Sequence, residues 1–142
     1  MTDEASAYAI GYRRYVNGEA PMHVKLLSIP VSDQESAKGF YVDKVGMTVL
    51  VDNTWGDDQR WVQVGWPGAQ TSLTLVTWFD EMPAGCIRGL VLESDDLDRD
   101  VRAMTERGVR FLGDPIDQPG GRFASFRDLD GNRISLRQAD DR

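Results

Sequence analysis

Lys25-Leu-Leu-Ser-Ile-Pro-Val-Ser-Asp33 and Arg88-Gly-Leu-Val-Leu-Glu-Ser-Asp-Asp96 are two versions of one phrase, 63 residues apart. Each is a short apolar run ending in acidic or hydroxyl residues. Each is followed by a stretch with helical spacing, then a glycine, then an extended segment. That segment is Gly46-Met-Thr-Val-Leu50 in the first case and Gly108-Val-Arg-Phe-Leu112 in the second. A period this long, seen twice, implies two copies of one supersecondary unit.

The stretches between carry their own signals. In the first copy, Ser32 and Glu35 have capping-box spacing, and Ala37, Phe40, Tyr41 and Val45 form one apolar stripe. Gly46 is the natural stop. In the second, Asp95 and Asp96 place acceptors at a helix start, Leu97, Val101 and Met104 form the stripe, and Gly108 ends it. Residues 60–66 alternate as a strand, residues 71–78 read as another, and Trp66-Pro-Gly-Ala-Gln70 turns the chain between them. Residues 122–127 and 133–137 flank an Asp-Gly turn at 128–132, a hairpin signal. The predicted order is β-α-β-β-β, twice. Residues 1–21, with Tyr8, Tyr12 and Tyr15 at helical spacing, read as an N-terminal extension or arm. Residues 22–142 form one domain, with module one at about 22–79, a linker at about 80–86 and module two at about 87–138.

Composition bounds what such a domain can do. The chain has 142 residues, 41% of them hydrophobic and 27% charged, enough to bury a core without covalent staples. No apolar run reaches the roughly 20 residues that span a bilayer, and no secretory signal is visible, so a cytoplasmic protein is expected. Cys86 and His23 are the only residues of their kinds, which excludes disulfides and every site built on several cysteines or two imidazoles. Sixteen basic against 23 acidic residues give a net charge of −7, which disfavours nucleic acid and anionic membranes as partners and favours cationic small molecules.

Ile29-Pro-Val-Ser-Asp33, then Gly39-Phe-Tyr41 and Val45-Gly-Met47, resemble the opening of a vicinal oxygen chelate protein. Phe126-Arg-Asp-Leu-Asp-Gly-Asn-Arg-Ile-Ser-Leu136 resembles that family's closing hairpin. The resemblance covers roughly residues 23–138. The family includes glyoxalase I, extradiol dioxygenases, fosfomycin-resistance enzymes and bleomycin-binding proteins. It implies an α+β fold of two tandem βαβββ modules, with curved mixed sheets around a cavity and helices outside. It also implies metal-ligand slots on four strands, which fall here at Leu26, Thr74, Gly89 and Ser135. Leu and Gly offer no ligand, and lone Thr and Ser hydroxyls are poor ones. No metal and no cofactor are therefore expected. His23 lies three residues before the first slot and reads as a surface residue, Cys86 as a plain small residue. Asp128, Asp130 and Asn132 mimic the start of a calcium loop, but Ala139 stands at its twelfth position, where the loop needs Glu.

Strand parity from those slots turns Ser28, Ser72, Val76, Trp78, Val91, Glu93 and Arg137 to the cavity, with Trp61 and Gln63 beside them. The opposite parity, Leu27, Ile29, Leu73, Leu75, Leu90, Leu92, Ile134 and Leu136, is the core face. The candidate ligand-binding residues are Trp61, Gln63, Thr74, Trp78, Glu93, Ser135 and Arg137. Trp55 and Trp66 lie near turns as rim candidates. Tryptophan faces can stack planar rings or attract cations, and Glu93 can pair with a cation. Arg137 can hold a carboxylate or neutralise Glu93. The reading that follows is a metal-free protein that sequesters a hydrophobic, aromatic or cationic small molecule, like the family's bleomycin-resistance members. By the same resemblance it is a homodimer with a role in antibiotic resistance. No catalytic residue is identified. The alternatives are a glyoxalase-like lyase or isomerase, or a dioxygenase-type enzyme, with a non-standard site (Glu93 as general base), and a regulatory or partner-binding module.

Overall fold

A computed structural model describes residues 20–140. The tyrosine-bearing segment up to residue 19 lies outside it. Within it the β-α-β-β-β order appears twice. The first unit runs β1 (Leu26–Pro30), α1 (Gln34–Gly39), β2 (Thr48–Trp55), β3 (Gln59–Gly65) and β4 (Ser72–Val76). The second runs β5 (Leu90–Glu93), α2 (Leu97–Glu106), β6 (Ile116–Gln118), β7 (Gly121–Arg127) and β8 (Arg133–Ala139). The two four-stranded mixed sheets have equivalent orders, β1-β4-β3-β2 and β5-β8-β7-β6. In both, the first strand pairs in parallel with the last and the rest pair antiparallel.

Local chemistry explains the helices, with one shift. The N-cap of α1 is Asp33, not Ser32. Its carboxylate accepts from the backbone N–H of Glu35 and Ser36. The helix then widens into a π-helical turn over Phe40–Val45 and stops at Gly46, whose φ of 100° favours glycine. The widening keeps Phe40, Tyr41 and Val45 all buried. Asp96 caps α2 through the Arg99 N–H. The extended segment expected at 108–112 is not a strand. Phe111 makes only an isolated bridge to Phe126, and the pairing strand comes later, as the three-residue β6. The interruption falls at Gly113-Asp-Pro115, where proline has no N–H to give a ladder.

The core lies between the two units. Ile29, Val62, Val64, Leu73 and Leu75 of the first sheet and Ala124, Phe126, Ile134 and Leu136 of the second are buried in one cluster. Phe40, Tyr41 and Met47 fill it from the first unit, Leu97 and Met104 from the second. Phe126 anchors the join, with ring contacts to both Phe40 and Phe111. Ile29, Leu73, Leu75, Ile134 and Leu136 are buried as strand parity implies, but Leu27 on the edge strand β1 is exposed, Leu90 and Leu92 are half-buried, and Ser72, Thr74 and Val76 of the opposite parity are buried as well. The buried faces of the two sheets and the helices packed on them contribute to one core cluster.

The turn at 128–132 ties the units together. Asn132 is fully buried, and its amide donates to the carbonyl of Pro30 and to Asp128 Oδ2, while its oxygen accepts from the Ile87 N–H. Asp128 Oδ1 accepts from the N–H groups of Asp130 and Asn132. The carboxylates that mimic a calcium loop are spent on backbone and side-chain donors. Arg107, from the end of α2, donates to the carbonyls of Lys44 and Val45 and so caps the π-helical turn of the other unit.

Candidate functional site

Each sheet has one face in the core and one partly open face, with β4 buried on both sides. On the first sheet the register sets Ser28, Thr74 and Gln63 side by side across β1, β4 and β3. Toward the β2–β3 turn, Pro30 pairs with Val76, and Asn53 of β2 pairs with Trp61 of β3. Continuing the β4 parity brings Trp78 onto Trp61, ring centres 6.1 Å apart and planes 25° apart, a stacked pair. Trp55 meets Trp61 edge-on at 6.1 Å, and Phe79 leans on Trp78. Trp55, Trp78 and Phe79 are each close to half exposed. A hollow of about 500 Å³ opens among Trp55, Gln59, Trp61, Thr77 and Trp78, with Asp58 and Arg60 at its edge.

Beside this aromatic run lies a polar strip. Trp61 Nε1–H donates to Gln63 Oε1 at 3.1 Å, and Gln63 Nε2 donates to Ser72 Oγ at 2.8 Å. Indole nitrogen only donates, so the direction of the relay is fixed and Gln63 can be placed only one way round. Thr74 is 1% exposed, and its hydroxyl has no hydrogen-bond partner among the described residues.

The second sheet repeats the layout with different chemistry. Ser135 takes the place of Thr74, Ser125 that of Gln63 and Phe123 that of Trp61. Here the two serine hydroxyls bond each other at 2.7 Å. A second hollow of about 500 Å³ is lined by Leu112, Ile116, Phe123, Ser125 and Ser135. Where the first sheet has Pro30 and Val76, the second has Glu93 and Arg137, in register and ion-paired at 3.1 Å. Arg137 donates twice more to the carbonyl of Gly120. Of its two sequence-level options, it neutralises Glu93.

The seven sequence candidates therefore divide. Trp61, Gln63, Thr74 and Trp78 meet on the first sheet, while Ser135, Glu93 and Arg137 lie on the second. The two hollows have no lining residue in common. Trp55 joins the aromatic run, but Trp66 does not. With Glu93 it lines a separate groove of about 430 Å³ against Arg99, Met104 and Arg107. Phe79 and Ser125 were missed: Phe79 follows the strand pattern's end, and Ser125 carries no signal until its cross-strand partner is known.

One charged cluster lies on the flank of the first unit. Asp52 accepts from Lys38 at 3.0 Å and from Arg60 at 2.8 and 2.9 Å, and Arg60 also reaches Glu35. Hydrogen bonds from Arg60 and Lys38 hold the Asp52 carboxyl well below the usual carboxylate range. The same contacts lower Glu35 and raise Lys38 and Arg60. The network clamps α1 to β2 and β3 beside the aromatic hollow.

Residues at the four metal slots do not suit a divalent ion. Leu26 and Gly89 have no donor atom. Thr74 and Ser135 offer only neutral hydroxyls, one of them already bonded to Ser125. Among the described residues no three His, Cys, Asp or Glu side chains cluster as a metal site. His23 and Cys86 are both exposed. No helix of the described residues is long and apolar enough to cross a membrane.

Comparison with known proteins gives the same architecture. The model of the glyoxalase/bleomycin resistance protein/dioxygenase superfamily matches residues 23–136. TnmS3, an antibiotic binding protein from Streptomyces sp. CB03234, is 52% identical, with 86% of this chain and 99% of that one covered and a TM-score of 0.79. A member of the same superfamily from Sphaerobacter thermophilus DSM 20745 is 37% identical over 82% of this chain and 97% of that one, with a TM-score of 0.75. The uncharacterized protein YetH of Bacillus subtilis is 31% identical over 119 residues, 79% of this chain and 94% of its own length.

Proposed function

The chain belongs to the glyoxalase/bleomycin resistance protein/dioxygenase superfamily, and on that premise we propose that it is a binding member that sequesters a small aromatic molecule, an antibiotic by analogy with TnmS3, without metal and without turnover. The observation that carries this reading is the run of contacting rings Trp55, Trp61, Trp78 and Phe79, with Trp55, Trp78 and Phe79 close to half exposed around the stacked Trp61. Large exposed aromatic patches on a small protein mark recognition surfaces. A flat ligand ring gains stacking and burial there. The cationic option loses support, because Glu93 is already neutralised by Arg137.

The same reading includes a second copy of the chain. Family binders close their pockets between subunits, and here each chain presents two open half-sites that share no residue. Pairing the aromatic face of one protomer with the Phe123–Ser135 face of another encloses a ligand on both sides, with Trp61 and Trp78 lining one hollow and Ser135 the other.

Titration of intrinsic tryptophan fluorescence with planar aromatic antibiotics and cationic glycopeptides, with and without divalent metal, tests the proposal. Saturable quenching that ignores metal, weakened at least tenfold by Trp61→Phe or Trp78→Phe, is expected. Binding that appears only with metal, or product formation, moves the assignment to an enzyme.

A further inference from the structure

The orphaned hydroxyl of Thr74 is explained by the second sheet. At the equivalent position Ser135 is satisfied by its cross-strand neighbour Ser125. On the first sheet the corresponding neighbour is Gln63, and Gln63 makes its hydrogen bonds elsewhere. Its oxygen accepts from Trp61 and its amide donates to Ser72. Thr74 is left with nothing, and a buried hydroxyl without a partner is uncommon in folded proteins. Ser72 is in a related state. Its oxygen already accepts from Gln63, so its remaining capacity includes a proton to donate, and no described residue takes it.

We infer that Ser72 and Thr74 form a donor shelf for an acceptor oxygen on the ligand, so that the site selects planar aromatic molecules carrying a ring carbonyl over the same ring systems without one. This rests on the binding reading above and names its ligand class. The geometry suits such a molecule. Trp61 and Thr74 are diagonal neighbours on adjacent strands, their backbone positions about 8 Å apart. A fused tricyclic ring stacked at the tryptophans spans that length and brings a carbonyl over β4. Chemistry excludes the opposite polarity. With indole donating at the head of the relay, Gln63 cannot flip to present its oxygen to a cation without stranding the Trp61 N–H. Ser72 and Thr74 are both buried behind the hollow and do not line it in the free chain, so ligand entry parts the side chains over them. Trp78, on the loop after β4 and 44% exposed, is the least buried of the aromatic pair.

The test uses the intact chain and two matched probes, 9-fluorenone-2-carboxylate and fluorene-2-carboxylate, which differ only in the ring carbonyl. Calorimetric titration of the wild type is expected to show the ketone bound about fivefold tighter, the worth of one neutral hydrogen bond. Thr74→Val, which keeps the shape and removes the donor, is expected to abolish that preference without weakening the hydrocarbon. Thr74→Ser is expected to retain it, which controls for misfolding. Equal wild-type affinities, or a preference that survives Thr74→Val, overturn the donor shelf while leaving aromatic binding intact. Failure of both probes to bind overturns the binding reading, and the shelf with it.

Discussion

Tyr41 donates its hydroxyl to Asp128 Oδ2 at 2.7 Å, across 87 residues of sequence and from one unit to the other. The tyrosine is fully buried, and the same carboxylate oxygen accepts from Asn132. Tyr41→Phe leaves the ring in place and removes one charge-assisted bond. A loss of about 1.5–3 kcal/mol in unfolding free energy is expected by urea titration.

The same pair sets an alkaline limit. Burial first, then the charge of Asp128, pushes the Tyr41 hydroxyl well above its usual value of 10. Its contribution is complete below the unfolded value and is lost as pH rises through the folded one. Stability measured from pH 9 upward therefore falls in the wild type beyond pH 10, and falls less steeply in Tyr41→Phe.

Asp52 works at the other end of the scale. Its folded value is depressed, so its contribution is present above the ordinary carboxylate range and fades as pH drops through the folded value. Asp52→Asn is expected to cost less than about 1 kcal/mol at pH 7, since the cluster is partly exposed to solvent. In urea titrations from pH 7 down to pH 2 the gap between variant and wild type should narrow, and added salt should narrow it at any pH.

Two glycines separate backbone strain from steric clash. Gly85 and Gly68 have nearly the same φ, 87° and 86°. A Cβ at Gly68 meets nothing within 4 Å, whereas one at Gly85 collides with the carbonyl oxygen of Asp130. Alanine at position 68 is expected to cost about 1 kcal/mol. At position 85 it should cost clearly more, because the turn at 128–132 must move, and thermal unfolding of the two variants measures the difference.

The fold was legible because the Lys25–Asp33 phrase recurs and the strands alternate cleanly enough to fix their faces. Ile29, Leu73, Ile134 and Leu136 are buried as that parity requires. What parity could not supply was the meeting of the two units, since a core face identifies what is buried but not what buries it. Within this chain the pairing of Tyr41 with Asp128 and of Asn132 with Pro30 joins the units, and the candidate residues divide between separate hollows on the two sheets. Trp66 was misplaced because a residue in a turn has no parity. The Thr74 orphan was invisible for a different reason: it depends on which of several neighbours Gln63 chooses.

All four tryptophans, Trp55, Trp61, Trp66 and Trp78, belong to the first unit, and the second unit has none. Emission is therefore an optical reporter weighted to the first unit, touching the second only where Trp66 borders Glu93. Circular dichroism in the peptide region sees both halves equally. If the shared core makes them melt as one cooperative body, the two signals trace a single curve. A lag between them would instead give the free energy that joins the halves, read from the chain's native chromophores without a label.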